Sequence, residues 1–255
     1  MTIKIITESD VLAHITMRDS IHVVEKAFLE YSLSKSKMPS KVYLDLPEFN
    51  GDFRAMPAYE HSQQFAGVKW VNVHTKNKEK GLPTVMGTII LNNPETAEPL
   101  AIVEATALTA LRTGAASGVA SKYLAVPSAC TLALIGAGIQ SFYQAEAIDL
   151  VRNLKLINIY DINKDAAESL KEKIKTIFKG EIIINNSIQD AVEHSDIVVT
   201  TTPSRTPILK KEWLKKHVHI NAIGADAEGK RECDDDIMSN AQIVIDEYEQ
   251  ATHSG

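Results

Sequence analysis

From about residue 128 the chain alternates short β-branched runs with stretches of helical spacing, and this alternation constrains its fold more than any other feature. The runs are CTLALIGAG (130–138), LINIYDI (156–162), GEIIINN (180–186), SDIVVTTT (195–202), HVHINAIG (217–224) and AQIVIDE (241–247). Between them, residues 139–153 and 161–180 carry apolar side chains at helix spacing, and 187–195 reads as a shorter helix. Asp161 or Asn163 can cap the second of these helices, and Gly180 is expected to stop it. Strands separated by helices pair in parallel, because each helical crossover returns the chain to the same end of the sheet. Six such strands predict a doubly wound α/β sheet, a Rossmann dinucleotide-binding domain.

The first 127 residues have another pattern. A helix-rich start (8–35) precedes strand-like pieces at KVYLDLP, FRAMPAY, FAGVKWVNVH, TVMGTIILNN and EPLAIVEA, and a helix comes next at 105–125. This predicts an α+β domain with an antiparallel or mixed sheet. The boundary is expected at Pro127, giving domains 1–127 and 128–255.

LALIGAGIQS (132–141) places Gly136 and Gly138 where a G-x-G-x-x-G fingerprint has its first two glycines, and Ser141 where it has the third. The first glycine permits a tight turn, and the second lets a pyrophosphate approach the backbone and the helix N-terminus. A glycine pair after a strand can also be a purely structural turn. Here a strand precedes it, a helix succeeds it, and Asp161 ends the next strand, where a ribose partner is expected. A carboxylate there favours NAD and repels the 2′-phosphate of NADP. Serine is small enough for the close packing of the third position. The lesser alternative is that Asp161 is no more than a helix cap. TTTPS (200–204) closes the fourth run, where hydroxyls could line the ligand crevice.

Several charged residues stand in unusual settings. Lys69 lies in an apolar strand, on the face shared with Gly67 and Val71; Arg112 sits in a helix of small residues; Arg54 precedes Met56 and Pro57; Asp226 comes after the fifth run, beyond Gly224. Each alone is ordinarily a solvated residue. Together, three cations and a carboxylate suit an amino or keto acid held beside a nicotinamide.

The motifs MPSKVYLDL, GDFRAMPA, GVKWVNVHTKN, GLPTV, LRTGAASGVASKYLA, LIGAGIQ, VVTTTPSRTPI and HINAIGADAEGKRE come in one order along the chain. Over essentially its whole length the sequence resembles the ornithine cyclodeaminase/mu-crystallin superfamily, and within it the archaeal alanine dehydrogenase branch. The resemblance implies a Rossmann NAD domain and a substrate domain that dimerises through its sheet. It implies that Lys69 (G-x-K-x-V-N) and Asp226 (I-G-A-D) are catalytic, and that Arg112 (L-R-T) binds the substrate carboxylate. Lys41 and Arg54 fall at substrate-lining positions, and Thr84 at the edge of the same pocket. The candidate cofactor contacts are Thr113, Gly136, Gly138, Ile139, Gln140, Asp161, Thr201, Thr202, Ile223 and Ala225. Cyclising relatives are expected to carry glutamate where this chain has Arg54, and a cation there would repel an ornithine ammonium. Arg54 suits a small substrate such as pyruvate, or one with a second acidic group.

The expected activity is reversible NAD-dependent oxidative deamination of L-alanine to pyruvate and ammonia. The alternatives are ornithine cyclodeamination or imine reduction on the same fold, and a non-catalytic protein that holds a nucleotide or small ligand. Remaining features bound these readings. A net charge of −6 argues against nucleic-acid binding, and no apolar run approaches membrane-spanning length. The start lacks a signal-peptide pattern, and Cys130 and Cys233 have neither metal-ligand spacing nor an expected disulfide, so a cytoplasmic protein without metal is expected. Relatives continue beyond the segment matching EQATHSG, so the family's C-terminal tail is expected to be absent.

Overall fold

Hairpin-paired strands dominate the first part of the chain and parallel strands the second. The structure is a computed structural model that describes residues 2–253. It comprises two compact units, Met1–Leu111 and Arg112–Gly255.

The first unit runs β1 (Lys4–Ile6), α1 (Glu8–His14), α2 (Met17–Ser32), β2 (Ser36–Lys37), β3 (Val42–Leu46), β4 (Gly51–Glu60), β5 (Phe65–His74), β6 (Val85–Asn92) and β7 (Pro99–Glu104). Both helices start with capping boxes, Thr7 with Asp10 and Thr16 with Asp19, which satisfy backbone N–H groups that have no helical acceptor. The sheet has the order β1-β7-β6-β5-β4-β2, with β3 also on β4. It is mixed: β1 joins β7 in parallel and the other pairs are antiparallel.

Register decides what this sheet presents. Tyr43, Arg54, Val71 and Gly87 lie opposite one another in a row across four strands. Met56, Lys69, Ile89 and Val103 form the next row. Because side chains alternate with period two, Arg54 and Lys69 share one face. Val71 and Arg54 are buried there, at 5% and 6% exposure. The opposite face carries Phe53 stacked on Trp70, with ring centroids 5.2 Å apart. Gly67 has a steric reason: a Cβ there would lie 2.6 Å from the Ile90 carbonyl oxygen on the neighbouring strand.

Helix α3 (Thr106–Leu124) continues from the first unit into the second. The pattern along the chain marks Pro127, just past its end. The units themselves part inside the helix, because its latter half packs with α4 (Ile139–Arg152) of the second unit. Ala147 approaches so closely that a Cβ on Gly118 would meet its Cβ at 3.1 Å. Arg152 donates to the carbonyls of Ser121, Lys122 and Ala125.

The second unit comprises β8 (Thr131–Ile135), α4, β9 (Leu156–Tyr160), α5 (Lys164–Ile174), β10 (Glu181–Ile184), α6 (Ile188–Val192), β11 (Ile197–Thr200), β12 (His219–Ala222), α7 (Asp235–Asn240) and α8 (Tyr248–His253). The strands form an all-parallel sheet in the order β10-β9-β8-β11-β12, the Rossmann arrangement. Its two faces are both covered, as parallel sheets require. Leu132, Leu134, Ile157, Ile159 and Val199 pack with Ile148, Leu170 and Ile174 on one side. Ala133, Ile135 and Val198 pack with Val192, Leu209 and Cys233 on the other. Burial pushes the Cys233 thiol up to about 11, so it serves as a small apolar side chain. Cys130 and Cys233 are both free thiols.

Two expectations about local structure are corrected here. AQIVIDE forms no strand: Ile243, Val244 and Ile245 are 54%, 58% and 45% exposed. Without a covering layer on either side, no apolar burial offsets the entropy of ordering this run into a ladder. Nor does Gly180 end α5. The helix ends at Ile174, and Asn163, not Asp161, caps its start by accepting from the N–H groups of Asp165 and Ala166. Gly180 is needed instead where the chain passes Lys155, whose carbonyl oxygen would lie 2.5 Å from an added Cβ.

The N-terminal ends of β8 and β11 are joined by Asp196. Its Oδ2 accepts from the backbone N–H groups of Cys130 and Thr131 at 3.0 and 3.1 Å and from the Thr131 hydroxyl at 2.8 Å. Its Oδ1 pairs with the Lys215 ammonium. Burial pushes this carboxyl up, but the hydrogen bonds from Lys215, Cys130 and Thr131 and the Lys215 charge outweigh it and hold it at about 2. The unfolded chain, at the ordinary 3.8, therefore takes up the proton first, and the stabilisation is complete above that value and fades as pH falls to about 2. Asp196→Asn should cost about 2 kcal/mol near neutral pH by urea unfolding. Its deficit relative to the unsubstituted protein should shrink between about pH 4 and pH 2; a constant deficit would contradict this account.

Candidate active site

The glycine turn after β8 is built by contacts that the fingerprint does not show. Gly136 has φ +104°, a conformation that L side chains rarely adopt. A Cβ there would also lie 2.7 Å from the Thr201 hydroxyl. Ser141 is fully buried, and its hydroxyl donates to the Gly136 carbonyl at 2.7 Å and meets the Thr201 hydroxyl at 2.9 Å. The serine in the third glycine position is thus a hydrogen-bonded staple as well as a small packing residue.

Gly138 caps α4 with extended backbone and no side-chain acceptor, and nothing lies within 4 Å of where its Cβ would be. That open space adjoins helix N–H groups carrying the positive end of the helix dipole, the setting that suits a pyrophosphate. Ile139 is 62% exposed at this end, and the Gln140 Oε1 is buried without a hydrogen-bond partner. Asp161 faces the same turn. Its Oδ2 accepts from the Ala137 N–H at 2.7 Å and its Oδ1 from the Asn163 N–H at 2.7 Å. Each oxygen keeps a further lone pair for a ribose hydroxyl. Thr113 lies close to α4, its carbonyl accepting from the Gln144 amide at 3.3 Å. These residues fit a dinucleotide.

The neighbouring strand ends are held by a residue that sequence reasoning missed. Glu232 is 1% exposed. Its Oε1 accepts from the Thr202 N–H and hydroxyl, both at 2.7 Å. Its Oε2 accepts from the Thr200 hydroxyl at 2.7 Å and the Gly224 N–H at 2.8 Å. Four donors on two oxygens are the complement of a carboxylate, which has acceptors only. The group ties the end of β11 to the loop after β12, which holds Ile223, Gly224, Ala225 and Asp226 in succession. Gly224 is obligatory there, since a Cβ would fall 2.1 Å from the Thr202 carbonyl oxygen. The run of hydroxyls at 200–202 was the only sign of this group in the sequence, because hydroxyls at a strand end need an acceptor.

Asp226, on that loop, is half-buried and forms an ion pair with Lys230, another residue the motifs did not single out. Asp226 also acts on Arg112. Arg112 is exposed, and the charges of Asp246 and Asp226 favour its protonated form. Two carboxylates thus shape the field at this cation.

The remaining candidates belong to the first unit. Lys69 is half-buried on the face that also carries Arg54. Arg54 pairs with Asp52 and lies over the Tyr43 ring, and Lys41 lies over the same ring. The Thr84 hydroxyl is buried and has no hydrogen-bond partner among the described residues. Among the described residues no cluster of His, Cys, Asp or Glu could hold a metal ion, and no helix is long and apolar enough to cross a membrane.

Fold and turn together define a Rossmann-type α/β protein with a second unit built on a mixed sheet. A model of the ornithine cyclodeaminase/mu-crystallin family matches residues 2–255, and the chain belongs to that family. An alanine dehydrogenase of Archaeoglobus fulgidus is 46% identical over 257 residues, spanning 100% of this chain and 77% of that protein. The solved structure of an archaeal alanine dehydrogenase dimer with bound NAD superimposes with a TM-score of 0.93 at 44% identity, covering 99% of this chain and 77% of that one. A Delta(1)-pyrroline-2-carboxylate reductase of Thermococcus litoralis, in complex with NADH and L-proline, does so with a TM-score of 0.89 at 38% identity, over 91% of this chain and 72% of that one.

Glu232→Gln keeps size and shape but sets an amide N–H₂ against fixed donors. It should cost about 1–3 kcal/mol in urea unfolding, the penalty of a buried donor left without an acceptor. Unchanged stability would show that the ends of β11 and β12 do not depend on this carboxylate.

Proposed function

We propose that the chain is an NAD-dependent amino-acid dehydrogenase that converts L-alanine, water and NAD reversibly to pyruvate, ammonia and NADH. The observation that carries this reading is the conjunction in one unit of the open glycine turn, the Asp161 carboxylate beside it, and Asp226 acting on Arg112. Similarity to the archaeal alanine dehydrogenases supports the choice of substrate.

In this reading Gly136, Gly138, Ile139 and Gln140 receive the pyrophosphate, and Asp161 accepts from the adenosine ribose. Thr113, Thr201, Thr202, Ile223 and Ala225 border the rest of the cofactor. Bound NAD supplies the hydride acceptor. Arg112, with Lys41 or Arg54, binds the substrate carboxylate, and Thr84 borders the substrate. Loss of the α-hydrogen leaves a 2-imino acid. Asp226 takes a proton from the water that adds to the imine carbon, and Lys69 shares the proton transfers that let ammonia leave. The first unit, with its mixed sheet, supplies Lys41, Arg54, Lys69 and Thr84 and the surface for a homodimer in the cytoplasm.

Reduction of a cyclic imino acid is the second reading, favoured by the likeness to the pyrroline-carboxylate reductase. NADH fluorescence separates the possibilities. L-alanine should reduce added NAD. Ornithine cyclised to proline and ammonia would give no net reduction, and an imine reductase would oxidise NADH with a cyclic imino acid but not with pyruvate and ammonia.

Two substitutions probe the roles. Lys69→Ala should abolish turnover and leave NAD affinity largely intact; surviving turnover would remove Lys69 from the chemistry. Gly138→Ala has room for its methyl and an ordinary φ of −76°. It should melt like the unsubstituted protein but bind NAD at least about tenfold more weakly. Equal affinity by fluorescence titration would place the pyrophosphate elsewhere.

A further inference from the structure

We propose that Asp52 is a specificity-determining residue: by neutralising Arg54 it fits this face of the first unit to a substrate with one carboxylate and excludes a second. The proposal rests on the reading of Lys41 and Arg54 as substrate-binding residues.

The geometry begins with register. Tyr43 on β3 lies opposite Arg54 on β4, and Asp45 opposite Asp52. Residues two apart on a strand share a face, so all four project from one side of the strand pair. The Arg54 guanidinium meets Asp52 through two bonds, Nε to Oδ1 at 2.7 Å and Nη2 to Oδ2 at 3.0 Å. The side chains are 7% and 18% exposed, so this is a fork-to-fork pair largely out of water. The Tyr43 ring adds a second constraint. The Arg54 Cζ lies 5.3 Å from its centroid and the Lys41 Nζ 5.5 Å, so one ring holds both cations.

The charge balance then decides what can bind. Arg54 alone would draw a carboxylate to itself as strongly as Lys41 does. Paired with Asp52 it has the field of a neutral dipole, and Lys41 and Lys69 supply the positive charge that remains on this face. A second carboxylate approaching Arg54 would meet the Asp52 oxygens, and juxtaposed like charges with little water between them are strongly disfavoured. Asp45 cannot do the same, because it is exposed and water screens it. An arginine at this position thus does not by itself indicate a dicarboxylic substrate. Asp52 turns it from a second anion site into a rigid wall with hydrogen-bonding capacity.

The test measures anion choice apart from turnover. Propionate and succinate, which cannot be oxidised as amino acids, are titrated into the full chain by calorimetry, for the unsubstituted protein and for Asp52→Asn, Asp52→Ser and Asp45→Asn. The serine variant serves if the asparagine variant fails to show a cooperative melt. Either Asp52 variant should raise the affinity for succinate relative to propionate by about tenfold or more. Asp45→Asn should leave that ratio within about twofold, its charge being screened. A ratio unmoved in the Asp52 variants, or moved equally by Asp45→Asn, overturns the proposal. So does failure of the unsubstituted protein to bind propionate. The dehydrogenase reading fails by a different result: no NAD reduction by the unsubstituted protein with any 2-amino acid, whatever the calorimetry gives.

Discussion

The second unit depends on how a parallel sheet finishes its strand ends. Antiparallel neighbours are joined by turns that use up the last polar groups, but parallel strands stop with N–H groups, carbonyls and hydroxyls unpaired. Two acidic side chains do that work here. Asp196 accepts from Cys130 and Thr131 where β8 and β11 begin, and Glu232 accepts from Thr200, Thr202 and Gly224 where β11 and β12 lead away. Both lie outside the strands, so each fixes a loop to the sheet as well as one strand to another. The Glu232 clamp also holds Thr202 and the start of the loop that carries Asp226.

The glycine turn obeys a related logic. Gly136 is demanded by backbone conformation and by Thr201, whereas open space surrounds the Cβ position of Gly138. The fold therefore requires the first glycine and not the second. That division explains how Ser141 can replace a third glycine: the position asks for a small buried group, and a hydroxyl gains a bond to the Gly136 carbonyl.

In the first unit a hairpin register does the corresponding work. A shift of one residue between β4 and β5 would carry Arg54 and Lys69 to opposite faces. The aromatic pair Phe53 and Trp70 on one face and buried Val71 on the other hold that register, because each slip would exchange a buried row for an exposed one.

Much of this was legible in the chain. The alternation of strand and helix from about residue 128, the glycine pair before a helix and Asp161 at the end of the next strand are local patterns, set by period and backbone preference. They determined the Rossmann class, and the motif series determined the family. AQIVIDE misleads because its composition suits a strand, while pairing and cover are not local properties. Lys230 and Asp52 were invisible for the same reason, and Glu232 showed only through the hydroxyls at 200–202. A carboxylate among charged neighbours in a sequence looks solvated until folding takes it out of water and turns donors toward it. Tertiary structure alone decided that Glu232 is a buried four-bond clamp, that Asp226 pairs with Lys230, and that Arg54 carries its own counter-charge, because burial and hydrogen-bond direction depend on segments far apart in the chain.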